Sequence, residues 1–246
     1  MSVTLFLFAL AGCSEKPSKP LTADQVVTRA IDSSGGDLYR TSEVSFVFRD
    51  REYRYYRDGG QRVYERLTQT DSGLVRDILH GGNFRREVAD REVPLPDSLQ
   101  LAYGNSVNSV HYFAYLPFGL NDPAVNRELL GESELEGERY YKVRVTFDSE
   151  GGGTDFDDVF VYWFNTRTHL PDYLAYAYHT NGGGLRFRKA YNPRVVGGIR
   201  FQDYINYKAD KEASVEALDS LFLAGKLEEL SRVELKDIRV TPGSYN

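Results

Sequence analysis

The side chains best suited to proton transfer or metal ligation in this chain are four histidines, His80, His111, His169 and His179. None stands at a metal-type spacing from another histidine or from the single cysteine. Each is therefore expected in a turn, on a helix face or in a strand. No serine sits in a G-x-S-x-G elbow between strand and helix. Asp148, Glu150, Asp155, Asp157 and Asp158 surround the Gly151-Gly152-Gly153 run. An oxygen-rich loop of this kind can hold Ca²⁺, with Asp155, Asp157 and Asp158 as the candidate metal ligands, although the spacing is not that of an EF-hand. Acids and glycines are equally what a solvated hairpin loop needs. Gly182-Gly183-Gly184 lacks the lysine and the following helix of a phosphate cradle and reads as a hairpin turn. With no nucleophile, base or metal set standing out, the chain is expected to be no enzyme and to need no cofactor.

The sharper chemistry lies in LRFRKAY. Period-two alternation puts Arg186 and Arg188 on one face of a strand and Phe187 on the other. Facing an interior, the two guanidiniums would clamp a carboxylate or phosphate at the mouth of an apolar cavity, because guanidinium offers bidentate donors. Facing water, they form a solvated edge whose partners are acids such as Asp157 or Asp158, worth little. Alternation alone leaves the face open. Apolar chemistry surrounds them: in VFVYWF, Val159, Val161 and Trp163 point one way and Phe160, Tyr162 and Phe164 the other. A sheet with one wet face does not have this composition. The aromatic rings either form a core or line a ligand cavity, and in the second case Trp163, Tyr162, Tyr176 and Tyr178 join Arg186 and Arg188 as the candidate binding residues.

Positioning these residues takes many strands. Counts of 22 Gly, 18 Tyr and 14 Phe against one Cys, one Met and one Trp describe strands joined by tight turns, without disulfides. The helix that opens the body is well specified, with Thr22 as N-cap, Gln25 three residues on, Leu21 and Val26 as a staple, and Gly35-Gly36 at its end. From Arg40 to Glu92 the breaks at Asp58-Gly59-Gly60, Asp71-Ser72-Gly73 and His80 to Asn83 mark an antiparallel meander. A second helix is expected after Pro96, capped by Asp97, with Tyr103, Val107, Val110 and Ala114 on one side and Pro117 ending it. Strands return over Tyr140–Phe147, Val159–Phe164, Tyr173–His179, Leu185–Tyr191 and Ile199–Tyr207. A short helix spans Ser214–Ala224, and a closing strand spans Arg232–Val240 with a bulge-like slip between Leu235 and Ile238. Two or three helices cannot cover a flat sheet of about ten or eleven strands, so the sheet is expected to curl around an interior.

The N-terminus speaks to location. Val3 to Leu10 is, apart from Thr4, a small-and-apolar run, too short to span a bilayer and of the length of a secretory h-region, although Met1 to Thr4 lack the usual basic residues. Leu10-Ala11-Gly12-Cys13 resembles the bacterial lipobox, in which the chain is cut before a cysteine that becomes acylated. Residues 1–12 then read as a signal peptide and 13–20 as acylated Cys13 with a polar, Pro-containing tether. The alternative is an apolar strand with a buried thiol at Cys13. Ser14 after the cysteine is not the aspartate of inner-membrane retention, which favours the outer membrane, and the tether lacks an acidic run linked to surface export, which favours its periplasmic face. Lys plus Arg total 30 against 36 Asp plus Glu, a net charge of −6, so nucleic acid is not an expected partner.

The order of elements carries a resemblance. GESELEGERYYKVRV, VFVYWFNTRTHLPDYLAYAY and the final strand are similar to the LolA and LolB superfamily of outer-membrane lipoprotein-sorting carriers, with turns at Glu136-Gly137 and around Asn165-Thr166. LPFGLNDPAVN, GGGTDFDDVFVYWFN and NGGGLRFRKAYNPRVVGGIRFQDY resemble, more narrowly, a family of bacterial lipoproteins with no assigned activity. The resemblance implies an α+β, mainly antiparallel fold over residues 21–246 as one domain, a curled incomplete barrel (half-barrel) over helices that leaves a cavity for acyl chains. The resulting expectation is a lipid-anchored, periplasm-facing outer-membrane lipoprotein that binds a lipid, acyl chain or other amphipathic molecule. The alternative is an envelope interaction module whose interior is filled by its own helices.

Overall fold

The structure is a computed structural model in which residues 20–150, 157–179 and 182–243 are described. The signal peptide expected over 1–12, Cys13, the tether up to residue 19 and Asp155 lie outside the described residues. The chain runs α1 (Ala23–Ser34), α2 (Leu38–Thr41), β1 (Ser42–Phe48), β2 (Arg51–Asp58), β3 (Gln61–Thr70), β4 (Gly73–His80), β5 (Asn83–Val88) and β6 (Arg91–Glu92). After α3 (Asp97–Ala114) come β7 (Val125–Leu135), β8 (Glu138–Phe147), β9 (Val159–Asn165), β10 (Pro171–Tyr178), β11 (Gly184–Val196) and β12 (Ile199–Lys208). A 3-10 turn (Val215–Ala217), α4 (Leu218–Leu223), β13 (Glu228–Val233) and β14 (Lys236–Pro242) complete it.

These strands form two antiparallel sheets of seven, ordered β14-β1-β2-β3-β4-β5-β6 and β13-β12-β11-β10-β9-β8-β7. The expectation of one curled sheet of ten or eleven strands over two or three helices is thus corrected, among the described residues, to two sheets, fourteen strands and four helices. The expected closing strand is two strands, β13 in one sheet and β14 in the other. The expected slip is present, since the β1–β14 register shifts between Lys236 and Arg239 with Asp237 at φ 50°, and just before it the chain also changes sheets, which the sequence did not show. Asp203 holds that crossover: its Oδ1 accepts from the Leu235 amide at 3.0 Å and from Arg194 at 2.9 Å, and Arg194 also donates to the Leu235 carbonyl at 2.6 Å. Close by, Gly197 at φ 56° turns β11 into β12, and a Cβ there would lie 2.6 Å from Val240 of β14, so a side chain would push the two sheets apart.

Between the sheets lie α1, the C-terminal half of α3 and residues 115–120, sharing one core with Phe46, Tyr55, Val143, Tyr162, Phe164, Ile199 and Phe201. The α1 start is as the sequence predicts: Thr22 Oγ1 accepts from the Gln25 amide at 3.2 Å while Gln25 Oε1 accepts from the Thr22 amide at 3.0 Å. The α3 start differs, because Pro96 occupies the cap and Asp97 is the first helical residue, with no side-chain cap bond. Pro96 donates no amide, and Asp97 still places a carboxylate at the positive end of the helix dipole.

Charge fastens α3 to the first sheet. Asp77 accepts from Arg66 at 2.6 Å and from Arg86 at 2.6 Å, and Arg66 also donates to Ser106 of α3 at 2.8 Å. His111, 1% exposed, is stacked on Tyr64 with its Nε2 3.1 Å from the Glu65 carbonyl. Burial pushes its pKa down to about 3, so the ring is neutral and packs as an aromatic. With α3 pinned by these contacts, its other side is left facing the second sheet.

Candidate functional site

On that side of α3 lies an apolar cavity of about 290 Å³. The helix contributes Tyr112 and Phe113, with Leu116 just beyond it, and the sheet contributes Phe147 from β8, Phe160 from β9, Leu174 and Tyr176 from β10, and Arg188 from β11. Strand register explains the convergence: Tyr162 pairs with Leu174 and Phe160 with Tyr176 across β9 and β10, while Leu174 pairs with Arg188 and Tyr176 with Arg186 across β10 and β11. Directly opposed residues share a face, so these side chains all project toward the helix.

The rings make a continuous wall. Phe160 stacks on Tyr176 with centroids 5.4 Å apart and lies 5.4 Å from Tyr112, which reaches 2.7 Å hydroxyl to hydroxyl to Tyr162. Burial raises both phenol pKa values, so both hydroxyls stay protonated and the pair behaves as a neutral link between helix and sheet. At the cavity's polar end, Arg188 Nη2 donates to the Tyr176 hydroxyl at 3.0 Å, and the guanidinium lies over Phe113 and Tyr176 at 5.1 and 5.2 Å from the ring centroids. Its Nε is buried without an acceptor, and no described carboxylate lies within ion-pair distance. Taking an ion out of water costs several kcal/mol, so cations near a core normally carry a partner.

Arg186 shares the face but not the cavity. It donates to Tyr178 Oη at 2.8 Å and to the Leu185 carbonyl at 2.9 Å and stacks over the Tyr178 ring at 5.0 Å. Of the residues singled out in the sequence, Arg188 and Tyr176 line the cavity, Tyr162 closes its floor through Tyr112, and Arg186 and Tyr178 form a pair beside it. Trp163 stands on the opposite face of the sheet, fully buried, where its Nε1 donates to Asp219 at 3.1 Å. The helix residues Tyr112 and Phe113 were not singled out. They lie off the Val107, Val110, Ala114 stripe, and two adjacent rings outside the core-facing stripe of a helix were the signal available.

The opposite face is sealed. Leu218 and Phe222, on and around α4, cover Phe187, Tyr173 and Trp163, with Phe222 stacked 4.9 Å from Phe187. Lys142 lies 5.2 Å from the Trp163 centroid and donates to Asp219 at 2.8 Å. At the cavity rim, Asp158 Oδ1 lies 3.4 Å from His179 Nδ1, and Asp157 Oδ2 lies 3.6 Å from the same atom. The three groups lie within 4.8 Å of one another. Such a set can ligate a divalent cation, and the two carboxylates pair equally with a protonated imidazole.

A profile described as "Family of unknown function (DUF6503)" matches residues 25–235. No curated protein matches the chain. Solved structures to which it is similar include a LolA superfamily protein from Nitrosomonas europaea, at 14% identity and TM-score 0.46, covering 90% of this chain and 92% of that one. A DUF1329 family protein from Desulfovibrio piger matches at 9% identity and TM-score 0.47, over 88% and 92% of the two chains. A third is a putative outer membrane lipoprotein-sorting protein domain from Vibrio parahaemolyticus, at 7% identity and TM-score 0.46, over 89% and 92%.

Proposed function

Because the chain belongs to DUF6503, a family of unknown function, its activity has to come from its own residues, and we propose that the domain binds the aliphatic part of a lipid, acyl chain or similar amphipathic molecule in the cavity between α3 and the second sheet. The observation that supports this is the ring-walled cavity itself. Its 290 Å³ lies at the small end of ligand pockets, which run from about 300 to 1,000 Å³, and it suits one chain better than a bulky ring system. Each methylene moved from water into it contributes about 0.8 kcal/mol, so binding and release are set by the apolar area buried.

The reading is of a binding domain and not a catalyst: rings, a hydrogen-bonded phenol pair and a guanidinium hold and orient a ligand. Acylated Cys13 would anchor the domain at the periplasmic face of the outer membrane, where amphipathic cargo is at hand. Among the described residues no helix is long and apolar enough to cross a membrane.

The test is titration of the purified protein with cis-parinaric acid, whose fluorescence rises in apolar surroundings. Saturable binding is expected, and it is expected to be lost in Leu174→Trp, which fills the cavity from its wall. The control, Val195→Ser at a position 69% exposed, should bind as the parent does. Equal binding by all three proteins would place the ligand elsewhere.

A further inference from the structure

We propose that Arg188 is the seat of an anionic head group, so that the ligand class is an alkyl chain ending in a carboxylate or phosphate. This rests on the cavity being the ligand site and adds what its polar end selects. Five other cations packed around the core are answered by acids of the chain: Arg62 by Asp122 at 2.6 and 2.8 Å, Arg66 and Arg86 by Asp77, Arg194 by Asp203, and Lys142 by Asp219. Arg188 is given a phenol and aromatic faces instead, and its Nε points at no acceptor although it is buried. Asp158, the acid on the same cavity wall, is engaged by His179.

Aromatic faces attract a guanidinium but leave its in-plane N–H groups unused. Those groups form a fork that matches two oxygens of a carboxylate or phosphate, a match that a hydroxyl or an ammonium cannot make. The apolar wall of Phe160 and Leu174 begins beside this fork. An anionic amphiphile therefore satisfies both ends of the cavity together: tail along the rings, charge at Arg188. On the neighbouring strand β12, Asn206 is the register partner of Arg188 and shares its face, with its Oδ1 also buried and without a donor. Asn206 is neutral, so it leaves the positive charge unbalanced.

The experiment uses the full-length protein loaded with the neutral apolar dye N-phenyl-1-naphthylamine, displaced by dodecanoate, dodecyl phosphate, dodecan-1-ol or inorganic phosphate. Both anionic amphiphiles are expected to displace the dye at concentrations about tenfold or more below the alcohol. In Arg188→Met that preference should vanish while dye and alcohol binding persist, and Arg188→Lys should restore part of it. Persistence of dye binding shows that each variant is folded. A preference unchanged in Arg188→Met, or no preference in the parent, overturns the proposal while leaving the cavity reading standing. Displacement by inorganic phosphate as readily as by dodecyl phosphate overturns it in favour of a small free anion. Failure of dye and amphiphiles alike to bind the parent removes the cavity reading itself.

Discussion

The two faces of the second sheet are built from the same ingredients and finished differently. On the outer face Trp163, Tyr173 and Phe187 lie under α4, and the cation above the tryptophan, Lys142, is answered by Asp219 of that helix. On the inner face Phe160, Tyr162 and Tyr176 lie under α3, and the cation among the rings, Arg188, meets no described acid. The outer face closes on itself: a six-residue helix, α4, brings its apolar side and its carboxylate to one place. The inner face cannot close, because α3 is pinned on its far side by Arg66, Asp77 and the buried His111. A helix held by one sheet stands at a distance from the other that its own side chains do not entirely fill. Aromatic composition alone therefore does not separate core from pocket; what separates them is whether each buried charge finds its partner within the chain.

The contrast is open to direct attack, most strongly by truncating the same residue type on each face. Phe187→Ala should cost about 3–5 kcal/mol of stability in urea unfolding, since a fully buried ring leaves a cavity behind. Phe160→Ala, at a partly buried position that already borders the cavity, should cost less than about 2 kcal/mol and should alter parinarate binding, which Phe187→Ala should leave alone. Equal losses from the two would abolish the contrast. Next in size, Asp219→Ala should destabilise the protein by about 3 kcal/mol, because it leaves the Trp163 indole N–H without its acceptor and the Lys142 ammonium without a counter-charge, held only by the Glu216 carbonyl. A red shift of the Trp163 emission, with amphiphile displacement unchanged, would confine the damage to the outer face.

Asn206→Asp sharpens the comparison from the other direction by giving Arg188 the acid that Lys142 already has. Displacement by dodecyl phosphate should weaken about tenfold, equivalent to about 1.4 kcal/mol, with the alcohol unaffected. An unaltered preference would mean that the charge on Arg188 does not govern selection. The smallest effect is expected from Tyr112→Phe, which removes the 2.7 Å link to Tyr162 and should lower the unfolding free energy by about 1 kcal/mol. A loss well above that would show that the phenol pair, and not the α3 attachment to the first sheet, sets the width of the inner cavity.

Much of the scaffold is written in local patterns. The capping box at Thr22 and Gln25, the paired glycines of the first meander, the Glu136-Gly137 turn and the Asn165 turn, whose side chain accepts from the amides of Arg167 and Thr168, depend on neighbours a few residues apart. The alternation that sets Arg186 and Arg188 opposite Phe187 is of the same kind. Reading failed where the determinant was remote. The slip between Leu235 and Ile238 was legible and is a register shift against β1, but only the attachment of β14 to β1, almost two hundred residues earlier in the chain, shows that the chain also changes sheets there.

The sequence by itself determined strand and turn identity, the two-sided apolar character of VFVYWF and the common face of the two arginines, because each follows from dihedral preferences and a two-residue period that neighbouring residues set. Only the tertiary structure decided which of those faces is sealed and which is hollow. It put Trp163 under α4 and away from the tyrosines, brought Tyr112 to Tyr162, and left Arg188 among rings with no described acid. Those outcomes depend on where α3 and α4 come to rest, and a helix's resting place is fixed by contacts summed over both sheets, which no stretch of the chain contains alone.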